Sequence, residues 1–185
     1  WKGLSAAQAL RSIDDVMRAA SAFNLPRRIF LADEEFVGRG EGATERVTAM
    51  ARGIIDRGYG LVFDTEARAD QVYDPTRDAR WHAERMRMWH LCRRAGLDRL
   101  FVGVEAGNSA QLARFAKGTT VEQNAMALRI LTALGVNLRL GFVMFDQLME
   151  GFEDVKENLL FLERTDVLMK AIDVEEEGGY ERVFS

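Results

Sequence analysis

The sequence predicts an α/β fold, a partial (β/α) barrel of parallel strands, and three observations carry that expectation. Short apolar runs alternate with helix-like segments at roughly the spacing of one βα unit. Each run then stops in acid. Ile29 to Ala32 meets Asp33-Glu34-Glu35, Leu61 to Phe63 meets Asp64-Thr65-Glu66, and Leu100 to Val104 meets Glu105. Leu138 to Phe145 likewise reaches Asp146, and Ala171-Ile172 reaches Asp173 and Glu175. Finally, 185 residues fall short of the about 250 that a complete eight-fold barrel needs.

An open doubly wound sheet is the competing architecture, with one ligand crevice where strand order reverses. Acid at every strand end fits a barrel better, because a barrel gathers all of its strand ends around one mouth. Apolar runs without alternation read as strands buried on both faces.

The elements follow in order. Ser12 to Phe23 carries Ile13, Val16, Met17, Ala20 and Phe23 on one helical face, and Pro26 stops it just before the strand at Ile29. A helix from about Thr44 to Arg57 closes at Gly58 and Gly60, and Tyr59 to Phe63 gives the next strand. A long helix, about Arg80 to Ala95, returns to the strand ending at Glu105. Thr119-x-x-Glu122 reads as a capping box for a helix ending at Gly135, with Val121, Ala125, Leu128 and Leu131 inward. The strand from Leu138 leads to a helix with Phe152, Val155, Leu159 and Leu162 at helical spacing, and Met169 to Val174 reads as the last strand. The expected organisation is one domain over residues 1–185, with its core at about 11–174 and an irregular tail at 175–185.

Composition narrows the function. Nearly half the residues are apolar (48%) and 29% are charged, which is a globular balance. A net charge of −4 argues against a nucleic-acid surface. No apolar run approaches the roughly 20 residues of a membrane span, and Trp1-Lys-Gly-Leu-Ser shows no leader. A single cysteine, Cys92, precludes an internal disulfide and fits a reducing cytoplasm. The chain begins at Trp1 rather than Met, as an excised piece of a longer protein would.

Phe101-Val-Gly-Val-Glu-Ala-Gly107, with Leu112 and Phe115-Ala-Lys-Gly-Thr119, resembles the fourth-strand segment of radical S-adenosylmethionine (radical SAM) enzymes, of the group that often carries a cobalamin domain. Ile29-Phe-Leu-Ala-Asp33-Glu-Glu-Phe36 is similar to their second strand, and Glu66-Ala-Arg68-Ala-Asp70 to the segment after their third. Gly141-Phe-Val-Met-Phe-Asp146 with Asn158-Leu-Leu-Phe-Leu162 is similar to their fifth strand and following helix. The resemblance covers roughly Arg11 to Ile172. It implies a TIM-like partial barrel, a radical SAM core lacking its first strand, that would in a full-length protein reductively cleave S-adenosylmethionine to a 5′-deoxyadenosyl radical.

The cofactors implied are S-adenosylmethionine, an iron–sulfur cluster and, in a full-length protein, cobalamin. Implied partners are a cluster reductant and a small-molecule or peptide substrate. By resemblance, Glu105 and Asn108 lie near the ribose and amino-acid part of S-adenosylmethionine, and Val143 and Phe145 near its adenine. Arg68 would lie near its carboxylate or the substrate, with Asp33 and Glu35 bordering the methionyl amine or the substrate pocket. The family's cluster needs Cys-x-x-x-Cys-x-x-Cys, whereas Cys92 is the one thiol here, so the segment alone is not expected to generate a radical. Ala106 stands where the family usually has Ser, and Gln147 where Pro is common.

Alternatives remain at this level. Glu105 could instead cap the next helix or pair with Arg68 or Arg99. Asp33, Glu66, Glu105 and Asp146 could hold Mg²⁺ or Mn²⁺ in a metal-dependent barrel enzyme, which would need a catalytic Lys or His near the rim, with Lys117 and Lys170 as the candidates. A degenerate barrel serving as a binding module is a further alternative. Gly38-x-Gly-x-Gly42 lacks phosphate-loop spacing and reads as a plain loop. His82 and His90, two turns apart on one helix, read as packing or surface residues, and Cys92 as a small buried apolar one.

Overall fold

The computed structural model describes residues 4–32, 36–38, 40, 42–149, 151–164, 166–172, 174 and 179–184. Asp33 and Glu35, two of the expected site residues, lie outside them, as does Glu34. Helix α1 (Ala6–Ala22) leads to β1 (Arg28–Leu31), α2 (Ala43–Arg57) and β2 (Val62–Arg68). After a 3-10 turn at Ala69–Gln71 come α3 (Ala79–Ala95), β3 (Leu97–Glu105), α4 (Ser109–Arg114), α5 (Val121–Ala133) and β4 (Asn137–Phe142). Helices α6 (Phe152–Leu162) and α7 (Glu181–Phe184) complete the described elements.

All strand pairs are parallel and the order is β1-β2-β3-β4. Strands that neighbour one another in the order in which they are made form a barrel wall. A doubly wound sheet would reverse its order somewhere, and this one does not.

Strand β2 shows the two faces of that wall. Phe63, Thr65 and Ala67 are buried, whereas Val62, Asp64, Glu66 and Arg68 are only partly covered. On β3, Leu100, Val102 and Val104 are buried, and Phe101 is exposed. One face is therefore sealed and the other half-open, not both sealed as the unalternating apolar runs implied. Leu97, Leu100, Phe63, Trp89, Met86, Ile130 and Leu131 build the fully buried core.

Ser5 starts α1 through a capping box with Gln8, seven residues before the expected start. Leu10, Ile13, Met17 and Ala20 are buried there, while Val16 and Phe23 face solvent. Helix α5 is capped by Thr120, whose hydroxyl accepts from the Gln123 amide, and not by Thr119.

Two expectations fail more clearly. Asp64 and Glu66 were placed at a strand end, but β2 runs on to Arg68 and holds both within it. Asp64 sits toward the opposite, N-terminal edge of the sheet, where the Arg28 guanidinium donates to Asp64 at 2.7 Å and Asp98 at 2.7 Å. The strand expected at Met169 to Val174 is absent from the described residues. The Ile172 amide instead donates to the Ala133 carbonyl at 2.9 Å, and the Met169 amide to the Thr132 hydroxyl at 3.1 Å. That segment is thus tied to the end of α5 rather than to β4. The tail, expected irregular, contains α7, whose Val183 is buried.

The Arg28 bridge stitches β1 to β2 and β3 at the sheet's lower edge. It holds the Asp98 carboxyl below its ordinary 3.8, chiefly through the side-chain hydrogen bond from Arg28. A depressed carboxyl adds stability above its ordinary value and loses it as the pH falls through the lowered folded value. An Asp98→Asn variant is therefore expected to lose less stability than the parent between about pH 5 and pH 3 in urea titrations.

Candidate functional site at the strand C-termini

Strand β3 ends abruptly. Glu105 adopts φ +65°, a left-handed conformation uncommon outside glycine, and the Ala106 amide turns back to the Val104 carbonyl at 2.9 Å. The register against β4 shifts at the same point, between Gly103 and Glu105. This turn brings the Glu105 side chain back over Gly103, where a Cβ would stand 2.9 Å from Glu105 Oε1 and 2.9 Å from Lys117 Nζ. Glycine at 103 is what leaves room for the pair. Gly141 lies beside it in the sheet, and a Cβ there would press on the Phe101 ring at 2.7 Å. Strained backbone of this kind concentrates at functional positions.

Lys117 donates to Glu105 Oε1 at 2.6 Å. It stands between two left-handed residues, Ala116 (φ +49°) and Gly118 (φ +72°), so the loop after α4 delivers its ammonium with little freedom. Arg68, at the end of β2, donates through Nη2 to the Lys117 carbonyl at 3.0 Å and forks onto Asp70. Four charged residues from β2, the 3-10 turn after it, β3 and the α4–α5 loop thus form one chain of contacts along the rim. Glu105 Oε2 makes no hydrogen bond among the described residues, and an acceptor of that kind suits a diol or an ammonium group.

A second, buried polar network anchors the rim to α6. Asn158 Oδ1 accepts from the Gly107 amide at 2.8 Å, and its Nδ2 donates to Gln111 Oε1 at 2.8 Å and the Met144 carbonyl at 3.1 Å. Gln111 Nε2 in turn donates to the Val143 carbonyl at 2.9 Å. Asn108 caps α4 by accepting from the Gln111 amide at 2.8 Å, and its Nδ2 donates to Asp154 and Glu157. Buried polar groups so fully satisfied fix a loop's shape.

The expected site residues therefore divide. Glu105 and Arg68 join in one rim network through Lys117. Asn108 is buried and its amide is committed to the protein. The Val143 backbone is held between Glu105 and Gln111, and Phe145 is 68% exposed. Sequence reasoning missed Gln111 and Asn158 as a matched pair and Lys117 as the partner of Glu105, for which it had offered Arg68 or Arg99. Helix α6 also differs from expectation. It buries Asn158 and Phe161, while Phe152, Leu159 and Leu162 point outward.

Among the described residues the acidic metal alternative finds no group to hold its ion, and Asp33, one of its four acids, lies outside them. Asp146 is held by Arg114 at 2.7 Å, Glu105 by Lys117, and Glu66 lies within β2. No group of three or more described His, Cys, Asp or Glu side chains is placed to hold a metal. His82 is a packing residue, stacked on Tyr73 with ring centroids 4.9 Å apart. Cys92 is fully buried in α3, and burial pushes its thiol up to about 12. A cluster held by three thiolates does not fit the residues present. Cys92 is expected to resist a disulfide reagent such as DTNB in the native protein and to react fully in guanidinium, a difference read by absorbance.

No protein-family model matches the chain. A structure of the cobalamin-dependent S-adenosylmethionine radical enzyme OxsB with aqua-cobalamin bound superposes with a TM-score of 0.96 at 48% identity. It covers 100% of this chain and 26% of that one. The chain has the fold of a radical SAM barrel wall. The OxsB structure holding both aqua-cobalamin and S-adenosylmethionine gives a TM-score of 0.95 at 49% identity over the same shares. The 4′-phospho-dehydrooxetanocin synthase of Priestia megaterium is 52% identical over 176 residues, which is 94% of this chain and 24% of that protein. The chain thus spans about a quarter of the length of these relatives. No described helix is long and apolar enough to cross a membrane.

Proposed function

We propose that this chain forms the S-adenosylmethionine-binding wall of a cobalamin-dependent radical enzyme acting in the cytoplasm. The observation that carries the proposal is near-identity of fold with a structure holding that cofactor, at 49% sequence identity across the whole chain. Glu105 and Lys117 lie where such a barrel presents its ligands, at the strand C-termini. When bound, S-adenosylmethionine supplies an adenosyl group for hydrogen abstraction or a methyl group for transfer.

The chain's own residues bind and orient. Glu105 accepts hydrogen bonds from the cofactor's hydroxyl or ammonium groups through Oε2, while Lys117 fixes Oε1 and keeps the carboxylate turned over Gly103. Arg68 sets the height of the Lys117 loop through that loop's carbonyl. Asn158 and Gln111 hold the Gly107 and Val143 backbone so that the rim keeps its shape without the ligand. Val143 and Phe145 offer apolar surface to the adenine. Three cluster thiolates are not among these residues, so electron delivery is not assigned to this chain.

Equilibrium dialysis of labelled S-adenosylmethionine against the protein as its source cell makes it tests the proposal. Saturable one-to-one binding is expected. Absence of binding, with the fold intact by circular dichroism, would leave a barrel that serves only to bind another protein.

A further inference from the structure

Helix α5 buries a polar side chain against the strand that carries the rim. Asn124 is 0% exposed, and its Nδ2 donates to the Val104 carbonyl at 2.9 Å. Its Oδ1, equally enclosed, has no hydrogen-bond partner among the described residues. A buried amide with half of its capacity unmet costs stability, and an apolar side chain of similar shape would pack α5 on the sheet without that cost. Exchanging the two atoms does not help, because an amide oxygen cannot donate to a carbonyl. What Asn124 adds to packing is therefore one donor, aimed at Val104.

That carbonyl stands where β3 leaves the sheet. The ladder to β2 ends at Gly103, and the ladder to β4 passes from Gly103 to Glu105, so Val104 has no partner residue in either. Its oxygen accepts instead from the Asn124 amide and from the Ala106 backbone amide, the latter also at 2.9 Å. The Ala106 bond closes a γ-turn around Glu105, whose φ of +65° belongs to the rare and strained form. Such a turn persists only where its surroundings hold it against relaxation to extended strand. Beyond Glu105, the Val143 amide pins the Glu105 carbonyl at 2.7 Å. Before it, Asn124 is the side chain among the described residues that pins the Val104 carbonyl. This carbonyl lies in the peptide plane leading into Glu105, so turning that plane changes the Glu105 φ. The carboxylate would then leave its place over Gly103 and beside Lys117.

We propose that Asn124 is a positioning residue for Glu105. Its amide holds the Val104 carbonyl, and with it the turn that aims the Glu105 carboxylate at a ligand's hydroxyl or ammonium group. The proposal rests on the reading of Glu105 as a contact of S-adenosylmethionine. Asn124 itself is sealed behind β3 and acts only through the turn.

Asn124→Leu keeps the branched shape, removes the donor together with the unmet acceptor, and leaves the Val104 carbonyl its bond from Ala106. The test compares this variant with the parent, each as the source cell makes it. The urea midpoint should change little. S-adenosylmethionine binding, by equilibrium dialysis, should weaken at least about tenfold, the scale of a hydrogen bond to a charged group. In a Glu105→Gln background the same substitution should weaken binding less than about twofold, because the group it positions is already gone. No loss in the parent background, or a loss that persists in full without Glu105, overturns the proposal. Deuterium uptake, read by mass spectrometry on the peptide spanning 103–108, separates these outcomes from failure of the cofactor reading. Uptake there should quicken in Asn124→Leu, while uptake over 98–102 does not. If the parent binds no S-adenosylmethionine, the cofactor reading falls. Quickened uptake then still supports the hold of Asn124 on the turn, and unchanged uptake overturns it. Asn124→Ala carries the same readouts if Asn124→Leu does not fold. Failure of both to fold marks Asn124 as a residue of the fold alone and overturns the proposal.

Discussion

A Gly96→Ala variant is expected to lose roughly 3 kcal/mol of stability, the sum of a left-handed backbone penalty and overpacking. Helix α3 passes into β3 through this one residue, with no loop between them. Gly96 holds φ +113°, and a methyl group there would overlap the Leu61 carbonyl oxygen. That neighbour is backbone, and it cannot rotate away as a flexible side chain would. The Gly96 carbonyl also accepts from the Phe63 amide at 2.9 Å, so any shift disturbs the start of the β2–β3 pairing. Urea denaturation followed by fluorescence of the fully buried Trp89 reads the loss. Gly58→Ala is the control. It shares a positive φ, +60°, but nothing lies within 4 Å of the added carbon, so it should cost only about 1 kcal/mol. Equal losses in the two variants would show that the crossing at Leu61 does not constrain the fold.

The second large effect falls on ligand binding. Glu105→Gln is expected to weaken S-adenosylmethionine binding at least ~30-fold, or about 2 kcal/mol, the scale of a hydrogen bond to a charged group. The substitution keeps size and shape but removes the charge on which Lys117 closes at 2.6 Å. Lys117→Met should weaken binding less, because it frees Glu105 to move without removing it. Lys117→Arg should restore part of the loss. Binding unchanged in Glu105→Gln would move the cofactor away from this rim.

Much of this was legible in the sequence, for reasons that differ by element. The run Leu100 to Val104 and the acid after it marked β3 and its rim residue, since a buried parallel strand leaves an apolar run with a polar end. The strand order was legible only as a preference for a barrel, because nothing local says which strands become neighbours. Asp64 misled: it follows an apolar run as Glu105 does, yet β2 continues four residues beyond it to Arg68. Alternation in Val62 to Arg68, with polar residues at every second position, was the signal that could have corrected it. The segment Met169 to Ile172 looked like a strand by composition, but its amides bond to the end of α5 instead. Helix α6 carries two apolar stripes, and a period alone does not choose between them. The choice is made by Asn158, which must reach the Gly107 amide. The partnership of Glu105 and Lys117 spans twelve residues and two left-handed turns, so spacing alone did not reveal it.

A radical enzyme's cofactor wall must support reductive cleavage of S-adenosylmethionine in the whole protein. The protein is isolated anaerobically from its source cells, reduced with dithionite in the presence of S-adenosylmethionine, and assayed by chromatography for 5′-deoxyadenosine. This product is expected to form, to depend on both reductant and cofactor, and to fall sharply in Glu105→Gln. Failure to form it, in a preparation whose iron and sulfide content shows an intact cluster, would show that this wall does not serve radical chemistry.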